Sequence, residues 1–241
     1  MHVSARILCA LGLYVLVSFL AMMGVPWLCM KAGLGPLCPW CIRSGLVTQA
    51  TFLVLALVFM RVIGSGDWAR FGMKLARPAI VLRAVAISAA AMLVLMSPLL
   101  VLWMVSPAPA GEGPGGPGPA SGSLLHTILF VWLIASTCEE VFYRGLLQGF
   151  LSPLAAYGVR LWFVRIRFPV AFCAALFGLS HLCLVGMVPP PLLASILVST
   201  TVAGLVAGYY REQTGSLLPA IAAHVTFNVV GTLTPLLLSG R

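Results

Sequence analysis

Acidic residues are nearly missing from this chain: five Asp and Glu stand against fourteen Lys and Arg in 241 residues. Charged residues together make only 8% of the sequence, whereas hydrophobic residues make 61% and the mean hydropathy is +1.09. So little polar side chain cannot cover a soluble domain, which excludes that class and leaves a polytopic membrane protein. Basic clusters interleaved with aromatics are also lacking, so the net charge of +9 does not read as nucleic-acid binding. The basic residues are scattered between apolar segments, as topology signals and contacts to anionic lipid. There is no internal repeat, and no serine or cysteine has a convincing base and orienting partner for nucleophilic catalysis.

What is present is apolar sequence long enough to span a bilayer, at about 7–30, 44–63, 79–106, 124–151, 168–188, 191–210 and 216–238. The expectation is an all-α transmembrane bundle of about seven spans with no β-sheet. With the N-terminus inside, the inner segments carry Arg6, Arg61, Arg70, Lys74, Arg77, Arg83, Arg144, Arg160, Arg165, Arg167 and Arg211. The outer segments then carry only Lys31, Arg43 and Arg241. That bias predicts a cytoplasmic N-terminus and an outer C-terminus. The first span is too long, and too poor in a small-residue cleavage site, for a removable signal peptide and reads as a retained anchor. A Pro/Gly-rich stretch, 107–123, reads as an outer linker between an N-terminal three-span part, 1–106, and a C-terminal four-span part, 124–241.

Two of the five acidic residues are adjacent, in Cys138-Glu139-Glu140-Val141-Phe142-Tyr143-Arg144-Gly145, inside an apolar segment. A carboxylate at membrane depth costs about 2.5–3.5 kcal/mol on insertion scales, so a pair of them calls for a function. On a helix Glu140 and Arg144 are i,i+4 neighbours and can pair, while Glu139 points about 100° away and is left for chemistry. A purely structural role, charges holding a helix bundle, is the alternative. Phe177 and His181 share a face of the fifth span, and His224 and Asn228 share a face of the last, where Ser216 reads as an N-cap. At 1.5 Å per residue, Glu139, His181, His224 and Asn228 fall roughly 12–20 Å from the inner ends of their helices, at one similar depth.

In this order, Glu139-Glu140-x-x-x-Arg144, Phe177-x-x-x-His181 and His224-x-x-x-Asn228 resemble the three motifs of the CPBP family of intramembrane proteases, which includes the type II CAAX prenyl endopeptidases. The similarity covers roughly 124–238. It implies a glutamate-type peptidase in which Glu139 is the general base, His181 holds the water, and His224 and Asn228 donate to the oxyanion. Glu140 and Arg144 would be the supporting pair and Phe177 a pocket wall. The resemblance implies no soluble cofactor; zinc on the carboxylates and histidines is the alternative, against which Asn228 argues because an amide is a poor zinc ligand. The partners implied are the lipid bilayer and a membrane-anchored protein or peptide, such as a C-terminal sorting tail of the myxosortase-like kind, a prenylated tail or a leader peptide. The pattern suggests a prokaryotic inner membrane.

Seven cysteines are present, and Cys38-Pro39-Trp40-Cys41 falls in the first outer loop. In an oxidising compartment this dithiol could be a disulfide or a redox centre, which makes a membrane thiol-disulfide oxidoreductase the second functional class. A non-enzymatic immunity or transport protein is the third. Cys9, Cys29, Cys138, Cys173 and Cys183 read as packing, and His2 and His126 as interfacial.

Overall fold

A computed structural model of the chain describes residues 2–33, 45–105, 124–161 and 164–239. The linker and the Cys38/Cys41 pair lie outside the described residues. The elements in order are α1 (Val3–Lys31), α2 (Leu46–Ile63), α3 (Pro78–Val105), α4 (Leu124–Leu154), β1 (Gly158–Leu161), β2 (Val164–Arg167), α5 (Phe168–Ser180), α6 (Pro190–Thr214) and α7 (Leu218–Ser239).

Five of these helices are long and apolar enough to cross a membrane: α1, α2, Pro78–Pro98 of α3, α4 and α6. The remaining two of the seven expected spans are shorter apolar helices, Phe168–Leu184 and Leu218–Thr234. The protein is therefore a multi-pass helical membrane protein, and among the described residues five of the seven expected spans have full spanning length.

The fifth apolar segment is short because its α-helix ends at Ser180. There the Ser180 hydroxyl donates to the Phe177 carbonyl at 2.7 Å, and His181 Nδ1 lies 3.0 Å from the same oxygen. Side chains that bond local backbone compete with helix continuation. A 3-10 turn, His181–Leu184, and Gly186 at φ +77° then redirect the chain into the prolines that open α6.

The expectation of no β-sheet is also corrected. Strands β1 and β2 form an antiparallel hairpin between α4 and α5. The sequences Val159-Arg160-Leu161 and Val164-Arg165-Ile166-Arg167 alternate apolar and basic, the period of a strand, although the segment reads as a basic loop when only its charge is weighed.

The bundle is built around α4, in which all ten residues from Glu140 to Gly149 are buried. Its Phe142, Tyr143, Leu146 and Leu147 pack in one core with Val17 of α1, Phe52, Ala56 and Met60 of α2, and Cys173 and Phe177 of α5. The N-terminal helices thus share a core with the C-terminal ones. On the far side, α6 lies along α5 and α7, and α3 along α7.

The loop between α2 and α3 fixes the start of α7: Leu217 N–H donates to the Gly72 carbonyl at 2.9 Å, and the Ser216 hydroxyl donates to the Lys74 carbonyl. Ser216 Oγ also accepts from the Leu218 N–H at 3.2 Å, which satisfies one of the orphan donors of the α7 terminus. Two of the helical cysteines depart from a packing role: Cys9 and Cys183 are exposed, whereas Cys138 and Cys173 are buried.

Candidate active site

The stretch of α4 from Glu140 to Gly149 is enclosed by the other helices, and Glu140 and Arg144 are both fully buried there. Their side chains, one helical turn apart, form an ion pair at 3.0 Å, as i,i+4 spacing requires. The guanidinium sits 4.7 Å from the centre of the Phe177 ring and 5.6 Å from that of Tyr143, so two aromatic faces supplement one carboxylate. Room for it comes from α6: a Cβ at Gly204 would lie 2.8 Å from Arg144 Nη2 and 2.9 Å from the Ala174 backbone.

Glu140 does more than neutralise Arg144. Its Oε1 lies 2.9 Å from His224 Nδ1, so the carboxylate accepts from α7 as well as from its own helix. The bond fixes the imidazole with Nε2 directed at the neighbouring carboxylate, and Glu139 Oε2 lies 3.9 Å from that nitrogen. The two adjacent glutamates therefore address opposite nitrogens of one histidine. Glu139 retains 19% side-chain exposure where Glu140 has none, because it faces a cavity of about 140 Å³.

That cavity is lined by Glu139 and Tyr143 of α4, Ser180 at the end of α5, His181 and Cys183 beyond it, Thr48, Gln49 and Phe52 of α2 and Met22 of α1. His181 reaches it because the helix stops there. Its Nδ1 faces the Phe177 carbonyl, an acceptor, so that nitrogen carries the proton and Nε2 is left as an acceptor. Phe177 stands between the two histidines, its ring centre 5.3 Å from that of His181 and 5.2 Å from that of His224. It is a wall that holds both imidazoles edge to face.

Asn228 is placed differently. Its Nδ2 donates to Ser136 Oγ at 2.9 Å, one turn before Glu139 on α4, and it does not line the cavity. In this conformation the amide ties α7 to α4. Sequence reasoning missed Gln49, whose Nε2 donates to Glu139 Oε1 at 2.8 Å. Every candidate residue of the peptidase reading came from the C-terminal part, and a lone glutamine in α2 carries no motif that would single it out. The only available hint was a polar side chain in an otherwise apolar span.

Among the described residues, no group of three or more His, Cys, Asp or Glu is arranged to hold a metal ion.

Neither the curated proteins nor the solved structures contain a match to this chain. Residues 121–230, which run from α4 into α7 and carry both glutamates, both site histidines and Asn228, match the family model described as type II CAAX prenyl endopeptidase Rce1-like.

Proposed function

We propose that the chain is a glutamate-type intramembrane endopeptidase that cuts a membrane-anchored protein or peptide at the cavity beside Glu139. The observation that carries the reading is the shared imidazole: Glu140 holds His224 Nδ1 at 2.9 Å, while the partly exposed Glu139 stands 3.9 Å from Nε2 and opens on the cavity that His181 lines. One carboxylate orients and the other is free to react.

Hydrolysis of a peptide bond needs an activated water, donors for the oxyanion and a proton for the leaving amine. Glu139 would take a proton from a water whose other hydrogen is held by the His181 Nε2 lone pair, and the oxygen would attack the scissile carbonyl carbon. With both ring nitrogens protonated, His224 donates at Nδ1 to Glu140 and at Nε2 to the developing oxyanion. Asn228 would supply a second donor on exchanging its bond to Ser136. Collapse of the tetrahedral intermediate breaks the C–N bond, and Glu139 returns the proton to the leaving nitrogen. Gln49 holds the Glu139 carboxylate through Oε1, which leaves Oε2 facing His224. No step uses a cofactor.

The substrate class follows from the setting: a tail presented within the bilayer, such as a C-terminal anchoring or sorting segment, in a prokaryotic inner membrane with the N-terminus cytoplasmic. The test is co-expression of candidate anchored proteins with wild type, Glu139→Gln and His181→Ala, read by mass spectrometry of shortened tails with and without a chelator. Cleavage that disappears in both variants and survives the chelator supports the reading. Identical tails in all three strains refute it.

A further inference from the structure

The β-hairpin and the faces of α3 and α6 beside it form a second site, unrelated to Glu139. In the hairpin Val159 pairs with Ile166 and Leu161 with Val164, while Arg160 pairs with Arg165 and Gly158 with Arg167. Directly opposite residues of antiparallel strands share a face and alternate residues change face. One face is therefore wholly apolar and the other carries three arginines. Two arginines directly opposite one another repel, and an isolated two-stranded hairpin is marginal by itself. Part of the basic face is satisfied within the protein: Arg165 donates to the Ala156 carbonyl at 2.8 Å and Arg167 lies 3.7 Å from Glu212.

The apolar face is not fully covered. Val164 and Ile166 wall a groove of about 680 Å³ whose other sides are α3 and α6, while Val159 and Leu161 are 63% and 60% exposed. The groove is graded along its length. Helix α3 begins and α6 ends at the same end of it, and there stand Arg83, Tyr209, Tyr210 and Gln213, with Ile80 as the one aliphatic side chain among them. Deeper, about 12 Å along α6 from Gln213, the lining is Ile87, Leu205 and Val206. A cationic, hydroxyl-bearing mouth above an aliphatic floor, at the terminus of membrane-spanning helices, complements a phosphate joined to an acyl chain.

We propose that this groove is a binding site for one anionic phospholipid, its phosphate at Arg83 and Tyr210 and an acyl chain along Ile87, Leu205 and Val206, with the hairpin closing over it. The lipid completes the burial of Val164 and Ile166 and brings negative charge beside the arginine-rich hairpin. The site is independent of the peptidase reading, so Glu139→Gln leaves it intact.

The test is lipid retention by the purified full-length chain in mixed micelles of equal phosphatidylglycerol and phosphatidylcholine, counted by native mass spectrometry. Wild type keeps one phosphatidylglycerol with about fivefold preference, the effect of a single arginine at a membrane surface. Arg83→Gln brings the ratio near one, and Val206→Trp, which fills the floor, lowers retention of both lipids. Equal retention of the two lipids by wild type, or a preference untouched by both substitutions, overturns the proposal. Wild type alone gives a second readout that needs no variant. Its unfolding temperature rises saturably as phosphatidylglycerol is titrated in, and glycerol phosphate at the same concentration has no effect. An equal rise with glycerol phosphate, or no rise with the lipid, overturns it too.

Discussion

Glu139 and Glu140 are neighbours in sequence, yet neutralising each should affect stability very differently. Glu140→Gln removes the only carboxylate among the described residues paired with Arg144, whose side chain is fully buried. Breaking one partner of a buried ion pair costs about 3–5 kcal/mol, because the remaining charge is left uncompensated. The two rings beside the guanidinium lessen that loss without replacing a carboxylate. For a chain of this length each kcal/mol moves the melting temperature by about 2–4 °C, so a fall of roughly 6–20 °C is expected. Glu139→Gln keeps the shape and the contact with Gln49 on a partly exposed group. It exchanges a charge-assisted bond for a neutral one, at a cost of about 1 kcal/mol, or about 2–4 °C. Peptidase activity, by contrast, should vanish with Glu139→Gln, since an amide cannot take the proton of water. Adding Arg144→Met to Glu140→Gln removes the stranded charge and should recover most of the stability while leaving His224 without its carboxylate, so activity stays low. The assay is unfolding of each variant in one detergent followed by intrinsic fluorescence, beside tail cleavage in membranes. Equal melting losses for the two single variants, or an active Glu139→Gln, would refute the division of labour between the two glutamates.

Gln49→Leu removes the donor to Glu139 Oε1 at near-constant volume and should lower the cleavage rate about tenfold or more with KM little changed, measured on a purified substrate tail. Gly204→Ala puts a methyl 2.8 Å from Arg144 Nη2 and 2.9 Å from the Ala174 backbone, and a destabilisation of about 1–3 kcal/mol should appear as a lower melting temperature. Ser136→Ala and Asn228→Ala both break the tie between α4 and α7; if Asn228 also serves the oxyanion, stability falls in both and the cleavage rate falls further in Asn228→Ala. Cleavage by the wild type should be unchanged by a chelator, and loss of activity that returns on adding zinc would sink the glutamate mechanism.

The membrane class was legible in composition because side-chain chemistry alone decides whether a chain can face water. The Glu140–Arg144 pair was legible because helical periodicity places i and i+4 together whatever surrounds them. The ordered glutamate, histidine and asparagine motifs also named residues that the fold brings close together, although only Glu139 and His181 line the cavity, His224 being buried beside Glu140 and Asn228 turned to Ser136. Three things needed the tertiary structure. Helix length did, because the bonds of Ser180 and His181 back to Phe177 stop α5 in the middle of an apolar run that looks continuous. The hairpin did, because four-residue strands gain definition only through cross-strand pairing. Gln49 did as well, because contacts separated by 90 residues leave no local period, and only the packing of α2 against α4 brings that amide to the carboxylate. Local periodicity thus identified which groups are polar within the bilayer, and tertiary packing decided which of them meet.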